Sequence, residues 1–453
     1  MQDANVLFVF ADQWTFWALG CHGNEELRTP RIDRFATESV DCVNAISSCP
    51  VCSPARASLL TGLRPDRHGL FINDVPLNPE LPSFGKHFQA AGYDTAYVGK
   101  WHVDGHGRRS YIPKERRHGF DYFQALECTH DYQDSCYYAN DDPAPRVWDG
   151  YDAFAQTEKM IHWLHNREDD HRPFCAVLSW GPPHNPYQTA PESFKAHYHP
   201  DKLTPRANVP EDRREVSQRD LAGYYAHCEA LDTAFGQLLD AIDQLGCRDN
   251  TVVVFTSDHG DLLQSHSLAE KQGPWDESFR IPFLIRAPWM LPAGSVNRTF
   301  FEFHDSWPTI ASLCELPVTT EIQGRDLSTY LAKETVPEEN IGFYASYVPF
   351  GNWPRQKRAT ELTRAREARG VRTERYLYVE SLEGPWLLYD CMEDPLQMTN
   401  RADDPELEPV QRHLASHLRK KLAEQADEFL PADAYIKKWG YEVDELYTKA
   451  FKD

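Results

Sequence analysis

Residues 6–13 read VLFVFADQ, six consecutive apolar residues that end on an acid and an amide. A short apolar run without polar alternation is what a strand buried on both faces requires, as in parallel sheets covered by helices. The pattern recurs three times along the chain. Residues 94–98 (DTAYV) run into Gly99, Lys100, Trp101 and His102, residues 174–180 (FCAVLSW) into Gly181, Pro182, Pro183 and His184, and residues 251–256 (TVVVFT) into Ser257, Asp258, His259 and Gly260. Helical patterns alternate with such runs through about residue 315. The fold class expected is therefore α/β, a large, mostly parallel sheet sandwiched by helices. In such sheets ligands bind outside the carboxyl ends of the strands, so four polar strand ends that converge would build one pocket.

At 453 residues the chain has room for one large domain and an appendage. We expect a catalytic α/β domain over residues 1–340 and a C-terminal α+β subdomain with a short antiparallel sheet over 341–453. In the latter, residues 344–358 (YASYVPFGNWPRQKR) read as an aromatic, basic loop able to close over the pocket. Residues 371–380 and 386–395 read as paired strands, and 406–424 as a charged helix. Residues 221–245 carry apolar side chains at helical spacing, from Tyr224 to Ile242, which leaves His227 and Asp232 as surface or capping residues. His22 and His68 are assigned structural roles, and Asp261 and Glu277 the orienting of neighbours.

Lys and Arg number 47 against 69 Asp and Glu, a net charge of −22. That balance excludes a nucleic-acid binder and electrostatic docking to anionic membranes, so an anionic substrate must meet a local cluster of cations. No stretch reaches the roughly 20 apolar residues of a membrane span. The start, MQDANVLFVF, reads directly into a strand, and the 11 cysteines are scattered and odd in number. These features predict a cytoplasmic protein with reduced thiols, or a periplasmic or secreted one if a signal peptide has been removed.

Residues 48–62 read SCPVCSPARASLLTG. Ser53 suits an N-cap, Pro54 the first helical position and Gly62 the C′ position, which puts Cys52 at the mouth of a short helix where an anion is favoured and where Arg56 adds charge. A redox CPVC also wants a helix start, but in a compact thioredoxin-like unit, and a zinc site wants a second pair of ligands; neither is present. The segment Cys52-Ser-Pro-Ala-Arg56, followed by Leu60-Thr-Gly, resembles instead the formylglycine-dependent sulfatases of the alkaline-phosphatase-like superfamily. Their CxPxR cysteine is oxidised to formylglycine by a maturation enzyme. Cys49 is out of register for this motif. The similarity continues through Asp12, GKWH at 99–102, PPH at 182–184, SDHGD at 257–261, KQGPWDESFRIPFLIRAP from 271 and LLYDCMEDPLQMTN at 387–400.

The resemblance implies a sulfuric ester hydrolase. One hydroxyl of the formylglycine hydrate at Cys52 attacks sulfur in line and displaces the alcohol, and the other collapses to the aldehyde and expels sulfate. Asp12, Gln13, Asp258 and His259 match the family's ligands for one divalent cation, Ca2+ by family habit. Gln13 and His259 stand where many members have Asp and Asn, which makes Mn2+ a competitor, with Mg2+ as a further alternative. Lys100 and Lys271 would contact the sulfate, Arg56 the formylglycine and the metal-bound end. His102 would orient or deprotonate the diol, and His184 would serve as general acid with Lys271 assisting. The partners implied are a formylglycine-generating enzyme and a sulfated small molecule or saccharide; the oligomeric state is not in the sequence. A phosphonate monoester or phosphodiester hydrolase of the same superfamily is the runner-up, disfavoured by Lys100 and His102. An inactive homologue is disfavoured because every expected position is filled. Segments 104–118, 127–148 and 343–358 would line the leaving-group side, and their mix of Arg, His, Trp and Tyr favours a sulfated carbohydrate attacked from a chain end over an aryl sulfate.

Overall fold

Strand β1 (Asn5–Asp12) is buried along its whole length, as its unbroken apolar run requires. The computed structural model describes residues 3–167, 171–357 and 359–449. Alternate side chains of β1 enter two different cores. Val6, Phe8 and Phe10 pack with Ala55 and Leu59 on one face, while Leu7, Val9 and Ala11 pack with Leu231 and Phe235 on the other. Period-two alternation thus persists in a strand whose two faces are both dry.

Among the described residues ten strands form one sheet. After β1 these are β2 (Val40–Cys42), β3 (Asp94–Lys100), β4 (Tyr122–Leu126), β5 (Cys136–Ala139), β6 (Asp142–Val147), β7 (Phe174–Pro183), β8 (Thr251–Ser257), β9 (Phe283–Arg286) and β10 (Ser295–Asn297). Their order is β10-β2-β9-β8-β1-β7-β3-β4-β5-β6. The centre, β8-β1-β7-β3-β4, is parallel, with Val6 facing both Cys175 and Val252, while β9, β5 and β6 are antiparallel to their neighbours. The expected α/β sandwich is what forms, with antiparallel pairing towards the edges.

Three helices matter for the site: α1 (Pro30–Ala36), α2 (Cys52–Thr61) and α3 (Arg214–Gln244). The sequence placed His227 and Asp232 of α3 at the surface or in caps, and both are buried. Helical turns at Tyr187–Thr189, Glu192–Lys195 and Pro200–Lys202 lie across the outer side of α3, so that side is covered too. Asp232 does cap, but another helix: its carboxylate accepts the Arg31 and Ile32 amides at the first turn of α1, at 3.0 and 2.8 Å. His227 is a core histidine, its Nδ1 2.7 Å from Tyr151 Oη, and burial pushes it down to about 3.

A second, four-stranded antiparallel sheet follows in the order β11 (Gly342–Ser346), β12 (Ala368–Arg372), β13 (Tyr376–Ser381), β14 (Gly384–Asp390), and helix α4 (Glu408–Gln425) comes after it. Residues 344–346, expected in a loop, are instead the end of β11, zipped against 368–370. Arg358, the last basic residue of that expected loop, lies outside the described residues. The guanidinium of Arg372 on β12 grips the Asp276 carboxylate at 3.0 and 3.1 Å, tying this sheet to the loop that follows β8. No described helix is long and apolar enough to cross a membrane.

Candidate active site

The four strands singled out by their polar ends are consecutive in the sheet, as β8-β1-β7-β3. Asp12 closes β1, Asp258 and His259 follow β8, Lys100 closes β3 and His184 follows β7. The β3 end lies so close to β7 that a Cβ on Gly99 would sit 2.0 Å from the Ser179 carbonyl oxygen, and Gly99 holds φ +107°, a region that side chains avoid. Lys100 is delivered by a strand end whose backbone conformation and close approach to β7 call for glycine.

Helix α2 begins at Cys52 itself, not after Ser53. The expected Ser53 cap is absent: Ser53 Oγ has no partner, and its backbone N–H donates instead to Asn73 Oδ1 at 3.0 Å. A side chain from a separate loop thus satisfies the helix start. Gly62 ends the helix in the left-handed conformation, as expected. Cys52 is 1% exposed, with Sγ 3.2 Å from His259 Nε2 and 3.6 Å from Asp12 Oδ1. Cys49 is also buried, and burial pushes its thiol up to about 12.

Arg56, one turn on, joins the two buried carboxylates. Its Nε donates to Asp258 Oδ2 and its Nη2 to Asp12 Oδ2, both at 3.0 Å, while Nη1 reaches the Lys100 carbonyl and Ser179 Oγ. Lys100 Nζ lies 2.6 Å from Asp12 Oδ2. Burial opposes ionisation of Asp12, but Lys100, His184 and Arg56 hold it well below the usual carboxylate range. Asp258 is pushed up to about 6 by burial and by the charge of Asp12.

This donor set suits a divalent cation. Ligand atoms of Asp12, Cys52, Asp258 and His259 all lie within 4.8 Å of one another. His259 Nδ1 is engaged 3.0 Å from the Gly260 carbonyl oxygen, which turns Nε2 towards the carboxylates, the atom a cation would take in place of its proton. Gln13 is oriented likewise: its Nε2 donates to Asp261 Oδ2 at 2.7 Å, so Oε1 points inward and accepts from Lys271 Nζ at 2.8 Å.

Opposite this cluster, Lys271 Nζ approaches His184 Nε2 to 2.6 Å, and His184 Nδ1 lies 2.7 Å from the Asn185 carbonyl oxygen. Burial and the Lys271 charge push His184 down to about 4. The neutral tautomer therefore carries its proton on Nδ1 and accepts at Nε2 from the ammonium of Lys271. Burial opposes the Lys271 charge, yet Cys52 and Asp12 raise its pKa. The Cys52 thiol, which burial alone would push up, is held well below its ordinary value by Lys100, Lys271 and His259. A centre in which a thiol reads as an anion is one built to receive negative charge.

All ten residues expected from the sequence surround this centre, His102 included: its side chain reaches Cys52, and its Nε2 lies 3.3 Å from Asp74 Oδ1. A cavity of about 410 Å³ opens over Cys52, Lys100, His102, His184 and Lys271. Each segment expected on the leaving-group side contributes to its wall, through Arg108, His130 and Phe350. Arg108 grips Asp74 at 2.7 Å, and the His130 ring stacks on His184 at 4.8 Å and 6°. Sequence reading passed over Asn73, Asp74 and Gln272. Gln272 donates to the Phe350 carbonyl oxygen at 3.0 Å and accepts from its N–H at 3.3 Å, pinning the loop after β11 beside Lys271. Its position directly after Lys271 was the one available signal. Asp261 orients Gln13, and Glu277 accepts from Asn208 and Arg206, as expected.

The model of the sulfatase family matches residues 4–316, and that of the N-sulphoglucosamine sulphohydrolase C-terminal region matches 265–425. An ulvan-active sulfatase of Formosa agariphila is 40% identical over 441 residues, covering 96% of this chain and 84% of that protein. An N-acetylglucosamine-6-O-sulfatase of Bacteroides thetaiotaomicron is 26% identical over 504 residues, covering 93% and 87%. A solved structure from the locus by which that bacterium metabolises multiple glycosaminoglycans superposes with TM-score 0.83 at 28% identity, covering 96% of this chain and 99% of its own. With the strand ends, the buried Cys52 and the ordered motifs agreeing, the chain belongs to the sulfatase family and is a sulfuric ester hydrolase of the alkaline-phosphatase-like fold.

Proposed function

We propose that this enzyme removes sulfate from a sulfated carbohydrate, with formylglycine made from Cys52 as nucleophile. The observation that carries the reading is the position of Cys52 Sγ, within 3.6 Å of Asp12 and His259 at a buried helix mouth that Lys100 and Lys271 make electropositive. The carbohydrate is supported by relatives named for ulvan, N-acetylglucosamine 6-O-sulfate and glycosaminoglycan metabolism. A formylglycine-generating enzyme acting on the 52–56 segment is the maturation partner.

Hydrated formylglycine supplies two hydroxyls on one carbon, one to attack sulfur and one whose deprotonation expels sulfate. Asp12, Gln13, Asp258 and His259 are the residues that would hold a divalent cation, calcium by the habit of the family, with manganese or magnesium as alternatives; bound there, it would supply a Lewis acid beside the nucleophile. Arg56 fixes the two carboxylates relative to each other. Lys100 and Lys271, both largely buried, bind sulfate oxygens where fixed charges act strongly on charge developing in the transition state. His102, held through Nε2 by Asp74, orients the diol. His184 and Lys271 form the acid as a pair: the mobile proton sits on Lys271 Nζ, 2.6 Å from His184 Nε2, and passes to the departing alcohol oxygen.

Peptide mass spectrometry across Cys52, in protein coexpressed with a formylglycine-generating enzyme, is run alongside sulfate-release and phosphate-release assays. We expect conversion, sulfate release that Cys52→Ala abolishes, and loss of activity on chelation that calcium restores better than manganese. A persistent thiol in active protein, or faster phosphate release, overturns the reading.

A further inference from the structure

Past the rim formed by Glu270 and Asn352 the active cavity is not closed. A second depression, also about 410 Å³, shares Glu270, Asn352 and Arg355 with it and carries Arg213 and Lys357 on its far side. Three cations thus face one carboxylate, and Glu270 is the only acid among the described residues lining it. Glu270 accepts a hydrogen bond from the Asn352 amide at 2.9 Å, and Arg213 donates to the neutral Gln264 carbonyl oxygen, with Asp220 behind that glutamine and Asp444 near Arg355, so Lys357 is the least compensated of the three cations. Arg355 and Lys357 are exposed.

The setting makes this cluster informative. The chain carries a net charge of −22, so a patch of three cations in an open concavity runs against its average surface. Beyond a Debye length of about 10 Å the distant acids are screened, so a ligand in the depression experiences these cations together with the nearby Glu270, Asp220 and Asp444. Arg355 reaches the rim of the active cavity, while Arg213 and Lys357 lie outside it, where Lys100 and Lys271 do not extend because they are engaged with Asp12, Gln13 and His184. The two concavities adjoin across Glu270, Asn352 and Arg355, which gives a chain of linked rings entering the inner one a route to the outer.

We propose that this depression is a subsite for a second anionic group, a carboxylate or a sulfate, on the sugar next to the one that loses sulfate. The preferred substrate is then the end of an acidic oligosaccharide and not a lone sulfated monosaccharide. The inference rests on the carbohydrate reading above and adds to it the charge of the neighbouring unit.

The test compares three tetrasaccharides with the same sulfated terminal sugar: one with a uronate as its neighbour, its carboxyl-reduced neutral counterpart, and that neutral chain bearing a second sulfate. Initial rates are measured on wild type, Arg355→Gln and Lys357→Gln. Exposed charge pairs are worth up to about 1 kcal/mol each, so wild type should favour a charged neighbour about 3- to 10-fold in kcat/KM, and each variant should reduce that ratio. The uronate and sulfate arms identify which anion is read. The ratio should also shrink with added salt. Equal kcat/KM for charged and neutral chains in wild type, or a ratio unchanged in both variants, overturns the subsite. Calorimetric affinities of the same three chains for Cys52→Ser protein report the subsite without turnover. A charge preference there, with no sulfate release by converted wild type, separates failure of the catalytic reading from failure of the subsite.

Discussion

At the scale of single residues the division of labour turns on where one proton resides. His184 is neutral and accepting at Nε2, so the ammonium of Lys271 is the nearest acid. An acid matters in proportion to the basicity of the group that leaves. Lys271→Ala and His184→Ala should each lower kcat on a sugar sulfate by roughly 100-fold or more, and on a nitrophenyl sulfate, whose phenolate needs no proton, by less than about 10-fold. Parallel assays on the two esters check this, and equal losses on both would reassign the pair to binding sulfate. Much of this constellation was legible in the sequence because its members sit in contiguous motifs, such as GKWH and SDHGD, directly after apolar runs. Asp74 and Asn73 were not, since each acts through a partner distant in the chain, His102 and the first turn of α2. The Ser53 cap failed for the same reason: a local rule was overridden by a side chain that only tertiary folding delivers.

Among the elements, β3 and β7 make the tightest demand. Gly99 brings the β3 terminus against the Ser179 carbonyl with no room for a methyl group. Gly99→Ala combines that clash with an unfavourable φ and should cost about 3 kcal/mol, read as a lower urea midpoint. Because Lys100 follows directly, kcat/KM should fall further than the loss of folded protein explains. The sheet could be anticipated because four short apolar runs each end on polar residues, a pattern with few other physical explanations. The antiparallel strands β5, β6 and β9 could not, as they are short and their pairing is settled by neighbours distant in the chain. Residues 344–346 read as loop because pairing with β12, and not their own composition, makes them a strand. Helix α3 was recognised by its periodicity, while the burial of His227 depended on segments that cover its outer side and leave no trace in that helix.

Across the whole molecule, the helix that bears Cys52 is clamped from both ends by one buried acid. Glu302 accepts from Ser48 Oγ before α2 and from Arg64 after it, each at 2.6 Å. Burial opposes its charge, yet Arg64 and His304 hold its pKa down at about 2, against 4.5 in an unfolded chain. A depressed carboxylate stabilises the fold fully above the unfolded value and ceases to do so as pH falls through the folded one. The clamp should therefore contribute on the order of 3 kcal/mol at neutral pH and lose it between about pH 4.5 and 2. Thermal melts across that range should show wild type losing more Tm than Glu302→Gln, which starts lower at pH 7. The same clamp bears on how the enzyme comes into being. With α2 buried from end to end and Cys52 1% exposed, no second protein can close around residues 52–56 once the chain has folded. On the proposed reading, oxidation of Cys52 and formation of the native core are rival processes on one clock. The active fraction of a preparation is then set by which finishes first during synthesis, and a molecule that folds with its thiol intact stays inert for its lifetime.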